Sequence, residues 1–168
     1  MPDETHERNA RLWKRTLVAN SGAGIRPANL HNVTREDVPA LGALLFGAFL
    51  GTIDDAGQAM TQYESKATAI VAGRYGEWIP AASWAIEEAG NILSACLVCD
   101  YKLYGCPVIA VVATTPSRKR SGDGGTLLNA ALLSLAMLGY TECCAMITMG
   151  NDASERLFSS FGFVPKAD

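Results

Sequence analysis

Residues 108–128 read VIAVVATTPSRKRSGDGGTLL, and this stretch decides the fold that we predict. The β-branched apolar run at residues 108–112 indicates a strand, and residues 118–120 form a short basic loop. A glycine cluster then opens directly into a leucine-rich helix (Gly122, Gly124 and Gly125). Glycines let backbone N–H groups approach a ligand without hindrance from a Cβ atom, and a helix N-terminus carries about half a positive charge. The stretch therefore indicates a binding site for a pyrophosphate.

The spacing of these glycines excludes two common phosphate-binding loops. A Walker-type loop needs Lys-Ser or Lys-Thr after its last glycine, but Gly125 is followed by Thr126 and Leu127. The dinucleotide-binding motif needs a third glycine where Leu127 stands. The segment instead resembles the acyl-CoA-binding segment of the GNAT-type N-acetyltransferases, in which a strand leads into a proline, then [Gln/Arg]-x-x-Gly-x-[Gly/Ala], a small residue and paired leucines. Pro116 matches the proline, and Lys119 stands at the Gln/Arg position, where it keeps the charge but lacks the planar fork of arginine.

A second segment, residues 151–163, reads NDASERLFSSFGF and resembles the other motif of the same family. That motif has an asparagine, a small residue, an aromatic residue and a Gly-Phe pair, which here are Asn151, Ser154, Phe158, Gly162 and Phe163. The physical interpretation agrees, because Asn151 can cap a short helix and Gly162 can end it. The two motifs stand in the order of the family, and the resemblance extends over about residues 24–165.

Periodicity along the chain predicts the element order β-α-α-β-β-β-α-β-α, which is the order of these acetyltransferases. The predicted elements are a strand at 24–30, helices at 38–51 and 56–72, a hairpin of 82–88 and 92–101, a strand at 106–115, a helix at 126–138, a strand at 142–149 and a helix at 151–161. The resemblance implies an α/β (α+β) fold, the GNAT acyl-CoA N-acyltransferase fold, with a mixed sheet of about six strands and about four helices. We predict one such domain at residues 23–168, preceded by a polar N-terminal extension at residues 1–22, in which Trp13 to Val18 could form one or two helical turns.

The resemblance also implies acetyl-CoA as a cosubstrate, held between the strand before the glycine loop and the strand after the central helix. The backbone of Val112 and Thr114 would bind the pantetheine arm, and Asn151 would touch the arm from the other side. A backbone N–H near Val112 or Ala113 would polarise the acetyl carbonyl. The remaining cofactor-binding residues that we predict, mostly through backbone N–H groups at the pyrophosphate, are Lys119, Arg120, Ser121, Gly122, Gly124, Gly125, Thr126 and, near the thioester, Phe158.

Catalytic groups are harder to predict. Many family members have tyrosine at the position of Phe158, where its hydroxyl is thought to protonate the departing thiolate, and phenylalanine cannot donate. Candidate general bases are Glu87, Glu88, Asp100 and Tyr101, for which solvated turn positions are the alternative. In the segment GTIDD at residues 51–55, Asp54 and Asp55 could bind an amine or could cap the next helix.

Three functions remain open from the sequence. We favour an acetyl-CoA-dependent N-acetyltransferase that acts on a primary amine of a small molecule or a peptide. The alternative is a catalytically weak or inactive CoA-binding module with a regulatory or interaction role, which the residue at position 158 motivates. An unrelated α/β nucleotide or phosphate binder is the third, and it rests on the glycine loop alone.

Composition limits the partners. The net charge of −3 argues against nucleic acid, and the longest apolar stretch is too short to span a bilayer. We predict a cytoplasmic protein without a metal site, since the five cysteines fit buried, reduced side chains. Charged residues make up only 18% of the chain, and relatives usually have further strands where only residues 164–168 follow Phe163 here. An unfinished sheet edge covered by a second copy is therefore expected, as in a homodimer.

Overall fold

A computed structural model describes residues 9–18 and 26–167. Within these ranges the chain forms eight strands and four α-helices. In chain order they are β1 (Ala10–Thr16), β2 (Leu30–Asn32), α1 (Val38–Phe49), α2 (Met60–Val71), β3 (Glu77–Trp78), β4 (Trp84–Glu88), β5 (Asn91–Tyr101), β6 (Cys106–Thr114), α3 (Asp123–Met137), β7 (Glu142–Thr148), α4 (Asp152–Ser160) and β8 (Val164–Pro165).

The strands form one mixed sheet in the order β2-β4-β5-β6-β7-β1-β8, and β3 also pairs with β5. All pairings are antiparallel except that of β6 with β7. Apolar side chains of α3 and α4 pack on one face of the sheet and those of α1 and α2 on the other. The predicted α/β architecture is therefore confirmed, with two more strands than the six expected.

The N-terminal segment is where the sequence-based prediction is wrong. Residues 10–16 belong neither to a polar extension nor to a helical turn, because they form β1, which pairs with β7 along seven successive residues from Ala10–Thr148 to Thr16–Glu142. Leu17, directly after the strand, is buried in the core beside α3 and α4. Residues 1–8 and 19–25 lie outside the described part of the chain, as does the start of the strand predicted at 24–30, whose observed counterpart is β2.

This strand also changes the argument for a dimer. The prediction assumed an unfinished edge of the sheet, but β1 of the same chain pairs with β7, and β8 pairs with β1 in turn. The backbone donors and acceptors on the side of β7 that faces β1 are therefore satisfied within one chain. A second copy is not required to cover them.

The apolar spacing of residues 38–49 favours helix α1, and Asp37 precedes its first residue. Oδ2 of Asp37 accepts the Thr34 N–H at 2.8 Å, which stabilises the turn that leads into the helix. A Cβ atom on Gly42 would lie 2.7 Å from Cα of Glu64 in α2. The missing side chain therefore lets the two helices pack closely, and this pair brings the loop between them to one end of the sheet.

The cysteines occupy the positions that strand geometry predicts. Cys96 and Cys143 are buried on the face of α3 and α4, whereas Cys99 and Cys144 are buried on the face of α1 and α2. Neighbours that point to opposite faces cannot share a metal ion or form a disulfide with each other. Burial raises the pKa of the Cys99 thiol to about 11, so this thiol stays protonated at neutral pH.

Within the described residues, no helix combines the length and apolar character needed to cross a membrane.

Candidate functional site

The sheet opens between its two parallel strands. β6 and β7 pair only at Val108 with Cys144, near the start of both strands. Just beyond that point, the register of β5 against β6 shifts between Leu97 and Val98, which leaves Ala110 as an extra residue in β6. Such a bulge bends a strand, so β6 turns away from β7. The carboxyl-terminal halves of the two strands therefore flank a crevice, which is where open α/β sheets bind ligands.

The backbone of β6 presents an open edge to this crevice. The Thr115 N–H donates to the Leu93 carbonyl at 2.8 Å, and antiparallel pairs alternate between hydrogen-bonded and open positions. Ala113, opposite Ala95, is therefore bonded to β5, while the backbone groups of Val112 and Thr114 point away from β5 and into the crevice. Of the two residues predicted to polarise the acetyl carbonyl, Ala113 therefore directs its N–H to β5, and Val112 directs its N–H into the crevice.

The glycine loop lies between the end of β6 and the start of α3. Arg120 and Gly122 adopt left-handed conformations, with φ of +66° and +87°, and bend the backbone into the first turn of the helix. The N–H groups of Ser121 and Thr126 are already used, because they donate to the carbonyls of Arg118 and Gly122 at 3.2 and 3.1 Å. Both N–H groups were predicted to contact the pyrophosphate. Because each already donates to a carbonyl of the same loop, neither is available to a ligand in this conformation.

The other predicted donors of the loop are placed differently. Gly124 and Gly125 lie in the first turn of α3, where the helix provides no carbonyl partner for their N–H groups. Across the described residues, no backbone hydrogen bond engages the N–H of Arg120 or Gly122. A Cβ atom on Gly124 would lie 3.4 Å from Cδ2 of Leu157, which places the first turn of α3 beside α4. Four N–H groups at one helix N-terminus suit an anion.

Two basic side chains of the loop bind protein groups. Nζ of Lys119, the residue at the Gln/Arg position, donates to the Ala48 carbonyl at 3.2 Å, in the last turn of α1. Arg118 forms a bidentate pair with the buried Asp123, with distances of 3.1 and 3.0 Å. Ser94 also donates to Asp123, at 3.3 Å. Sequence reasoning missed this pair. The burial of Asp123 at the start of α3, which calls for a cationic partner, becomes visible only in the structure.

The opposite wall of the crevice is built by Asn151 and Asp54. Asn151 caps α4 as predicted, since its Oδ1 accepts the Ser154 N–H at 3.2 Å. Its Nδ2 donates to Oδ2 of Asp54 at 2.8 Å, and Thr148 Oγ1 donates to Oδ1 of Asp54 at 2.7 Å. The loop between α1 and α2 thus contacts the carboxyl end of β7.

The alternative that Asp54 or Asp55 caps the next helix is wrong. Asp55 closes its own loop by accepting the N–H groups of Gly51 and Gly57 at 2.8 and 2.9 Å. Helix α2 begins only at Met60, and Gln62 binds the N–H of its cap residue Ala59 at 2.7 Å.

Phe158 is a core residue. Its side chain is 5% exposed and packs edge-on against Phe163, with ring centroids 5.0 Å apart. The burial explains why an apolar ring is stable at this position on the face of α4 that meets the sheet.

Of the other candidate acid–base residues, Asp100, Tyr101 and Glu87 lie away from the crevice, whereas Glu88 approaches the glycine loop. Asp100 pairs with Pro107 at the start of β6, the closed end of the two parallel strands, and Tyr101 follows it. Glu87 binds Nε2 of His31 at 2.7 Å on the edge strands β2 and β4. The hydrogen bond of His31 to the Asn32 carbonyl, helped by Glu87, raises the pKa of this histidine against the opposing effect of burial. Glu88 lies 3.8 Å from Arg118.

Comparison of the sequence with protein-family models and with curated proteins finds no match. Solved structures do resemble the fold. A GCN5-related N-acetyltransferase from Sphaerobacter thermophilus superimposes with a TM-score of 0.68 at 18% identity, over 94% of this chain and 48% of that one. The ribosomal-protein-S18-alanine N-acetyltransferase from Escherichia coli gives 0.61 at 16% identity, over 82% of this chain and 78% of that one.

A proposed acetyltransferase from Salmonella typhimurium, whose structure includes its cofactor acetyl-CoA, gives a TM-score of 0.62 at 21% identity, over 82% of this chain and 80% of that one. The chain spans about half the length of the Sphaerobacter protein. Identities this low carry information on the fold alone. The chain has the fold of the GCN5-related N-acetyltransferases.

Proposed function

We propose that this protein is an acetyl-CoA-dependent N-acetyltransferase that transfers the acetyl group directly to a primary amine of a small molecule or a peptide. The observation that carries the proposal is the crevice between β6 and β7. The extended arm of a ligand could hydrogen-bond to the open edge of β6 as a further strand would. A pyrophosphate of the same ligand could then bind at the N-terminus of α3, which lies just beyond the end of β6. A ligand with both parts is a coenzyme A thioester.

The residues fit such a cosubstrate. Val112 and Thr114 offer backbone groups to the arm, and Asn151 faces them across the crevice. Arg120, Gly122, Gly124 and Gly125 supply N–H groups for the pyrophosphate. When bound, the thioester supplies an activated acyl carbon, and the Val112 N–H is the donor available to polarise its oxygen.

The chemistry then requires the amine nitrogen to bond to the acyl carbon while the carbon–sulfur bond breaks and the thiolate leaves. The amine releases its extra proton to solvent. Phe158 cannot protonate the thiolate, and a missing general acid typically lowers a rate by ~10²–10⁴. A thiolate with a pKa of about 8.5 is nevertheless a tolerable leaving group at neutral pH. We therefore expect a modest but measurable rate of acetyl transfer.

Ser121→Glu is expected to weaken acetyl-CoA binding at least tenfold, because it places a negative charge on an exposed residue of the loop that receives the pyrophosphate. Ser121→Gln is the matched control, since it has nearly the same size without the charge and keeps the backbone N–H. Isothermal titration calorimetry measures both affinities, and circular dichroism checks the fold. Equal affinities for the two variants would show that the pyrophosphate lies elsewhere.

The second candidate function is the catalytically weak or inactive CoA-binding module, which the buried ring of Phe158 favours. The two functions differ in thiol release. With acetyl-CoA and a panel of primary amines, an acetyltransferase releases free CoA at a rate that depends on the amine. Acetyl-CoA binding without any amine-dependent release would establish the module instead.

The homodimer and the cytoplasmic location stay predictions. With the edge of β7 already paired, the low charged fraction of 18% is the remaining support for association. Light scattering at micromolar concentration distinguishes a dimer from a monomer.

A further inference from the structure

A cavity of about 330 Å³ lies at the outer edge of β1, apart from the crevice. The crevice adjoins the carboxyl end of β7, whereas this cavity adjoins Glu142, the first residue of that strand. Its volume is within the range of small-molecule sites, ~300–1,000 Å³. The lining comes from the end of β1, the start of β7 and the turn that leads from α4 into β8 (Lys14, Arg15, Thr16, Glu142, Gly162 and Val164).

The backbone of β1 has an open edge where it meets this cavity. The Leu17 N–H donates to the Thr141 carbonyl at 2.8 Å, so the backbone groups of Thr16, one residue earlier, point away from β7 and toward the side of β8. On that side the pairing stops at Lys14 with Val164. Across the described residues, no backbone hydrogen bond engages the N–H or the carbonyl of Thr16. One donor and one acceptor therefore face the cavity together.

Charges of both signs surround this edge. Nη1 of Arg15 donates to the Phe161 carbonyl at 2.7 Å, and the guanidinium keeps further N–H donors for a ligand. Lys14, the preceding residue, lines the same cavity from the other face of β1. Within the described part of the chain, neither Lys14 nor Glu142 forms an ion pair or a side-chain hydrogen bond. The cavity thus has two cations and one carboxylate.

We propose that this cavity binds a free α-amino acid with an acidic side chain. The amino acid lies opposite Thr16 as one residue of a hydrogen-bonded antiparallel pair, which exchanges two N–H···O bonds. Its ammonium group donates to the Thr16 carbonyl and its α-carboxylate accepts the Thr16 N–H.

The charged side chains complete this recognition. Glu142 binds the ammonium group, and Arg15 binds the α-carboxylate. Lys14 then binds the carboxylate of the ligand's side chain, so a ligand with two negative charges and one positive charge matches a cavity with the opposite balance. No step of this recognition uses acetyl-CoA, so the inference is independent of the proposed function.

Isothermal titration calorimetry with L-glutamate, L-glutamine and glutarate tests the assignment. L-Glutamate should bind with a Kd of about 1 mM or lower. L-Glutamine lacks the second carboxylate and glutarate lacks the ammonium group. Each should therefore bind at least about fivefold more weakly, since each loses one charged contact.

Two substitutions assign the contacts. Glu142→Gln should weaken L-glutamate about fivefold or more without weakening glutarate, because only L-glutamate has an ammonium group. Lys14→Met should lower the affinity for L-glutamate to that for L-glutamine and leave the latter unchanged. Glu36→Gln and Lys166→Met are the matched controls, since both residues are exposed and lie outside the cavity lining. Both controls should leave the affinity for L-glutamate within about twofold, and circular dichroism checks the fold of all four variants.

The amide signal of Thr16 in NMR locates the bound ligand, and it should shift saturably with L-glutamate. Absence of binding at about 10 mM L-glutamate, or saturable shifts at Val112 and Asn151 without one at Thr16, would overturn the inference. Glutarate that binds as tightly as L-glutamate would make the cavity a simple anion site and would also overturn it. These measurements contain no acetyl-CoA and no acetyl transfer, so the proposed function stands or fails separately.

Discussion

A chain that lacks residues 1–17 is expected to lose cooperative unfolding, because the deletion removes β1 from the interior of the sheet. β1 supplies every pairing of β7 other than the one between Val108 of β6 and Cys144, and it also pairs with β8. Without β1, the backbone of β7 is exposed at an edge of the sheet. The apolar core surface that Trp13 and Leu17 cover also becomes exposed. A domain whose total stability is ~5–15 kcal/mol does not tolerate such a loss.

A matched pair of substitutions tests the same point without a deletion. Leu17→Ala should destabilise the protein by about 2–5 kcal/mol, the usual cost for a buried leucine, whereas the neighbouring Val18→Ala should have little effect. Leu17 is 8% exposed and Val18 is 70% exposed. Urea denaturation followed by circular dichroism gives both values. If the two variants are equally stable, or if the truncated chain melts like the full chain, β1 is not part of the folded sheet.

Arg118→Met is expected to weaken acetyl-CoA binding about tenfold and to lower the urea midpoint, because it leaves the buried Asp123 carboxylate unpaired at the start of α3. In the native protein Arg118 balances that charge where the pyrophosphate is proposed to bind. An uncompensated carboxylate there would repel the phosphates and would also remain partly desolvated.

The double variant Arg118→Met with Asp123→Asn provides the control. If charge compensation is the cause, removing the carboxylate should restore most of the affinity and most of the stability that the single variant loses, which gives a large coupling in a double-mutant cycle. Calorimetry and urea denaturation measure the two quantities. Additive effects of the single substitutions would mean that the pair does not act as a unit.

Much of the fold could be predicted because its signals are local. The apolar periodicity of residues 38–49 and the β-branched run before the glycine loop specify their elements directly, and α1 and β6 have nearly the predicted bounds. The alternation of Cys96 with Cys99 and of Cys143 with Cys144 across the sheet also follows from strand geometry alone.

β1 was missed for two physical reasons. Its sequence, ARLWKRT, mixes apolar and basic residues without regular alternation, because its only neighbour on one side is the two-residue strand β8 and its side chains are only partly buried. Its partner β7 is more than a hundred residues away along the chain, and no local pattern indicates which strand will cover an edge.

The candidate site also has parts that local sequence predicts and parts that depend on distant residues. The glycine loop and the cap of Asn151 were predictable, since their conformations depend on neighbouring residues. The bonds of Asp54 to Thr148 and Asn151 join residues 94 and 97 positions apart, and that of Lys119 to Ala48 joins residues 71 positions apart. Such contacts arise only when the helices pack on the sheet, so the sequence left the role of Asp54 open.

The most direct test of the central claim, that acetyl-CoA binds in the crevice between β6 and β7, is a titration of the wild-type protein with acetyl-CoA followed by the backbone amide signals in NMR. We expect saturable shifts concentrated at Val112, Thr114, the N–H groups of residues 120–125 and Asn151. Absence of shifts at millimolar acetyl-CoA, or saturable shifts confined to another part of the sheet, would contradict it.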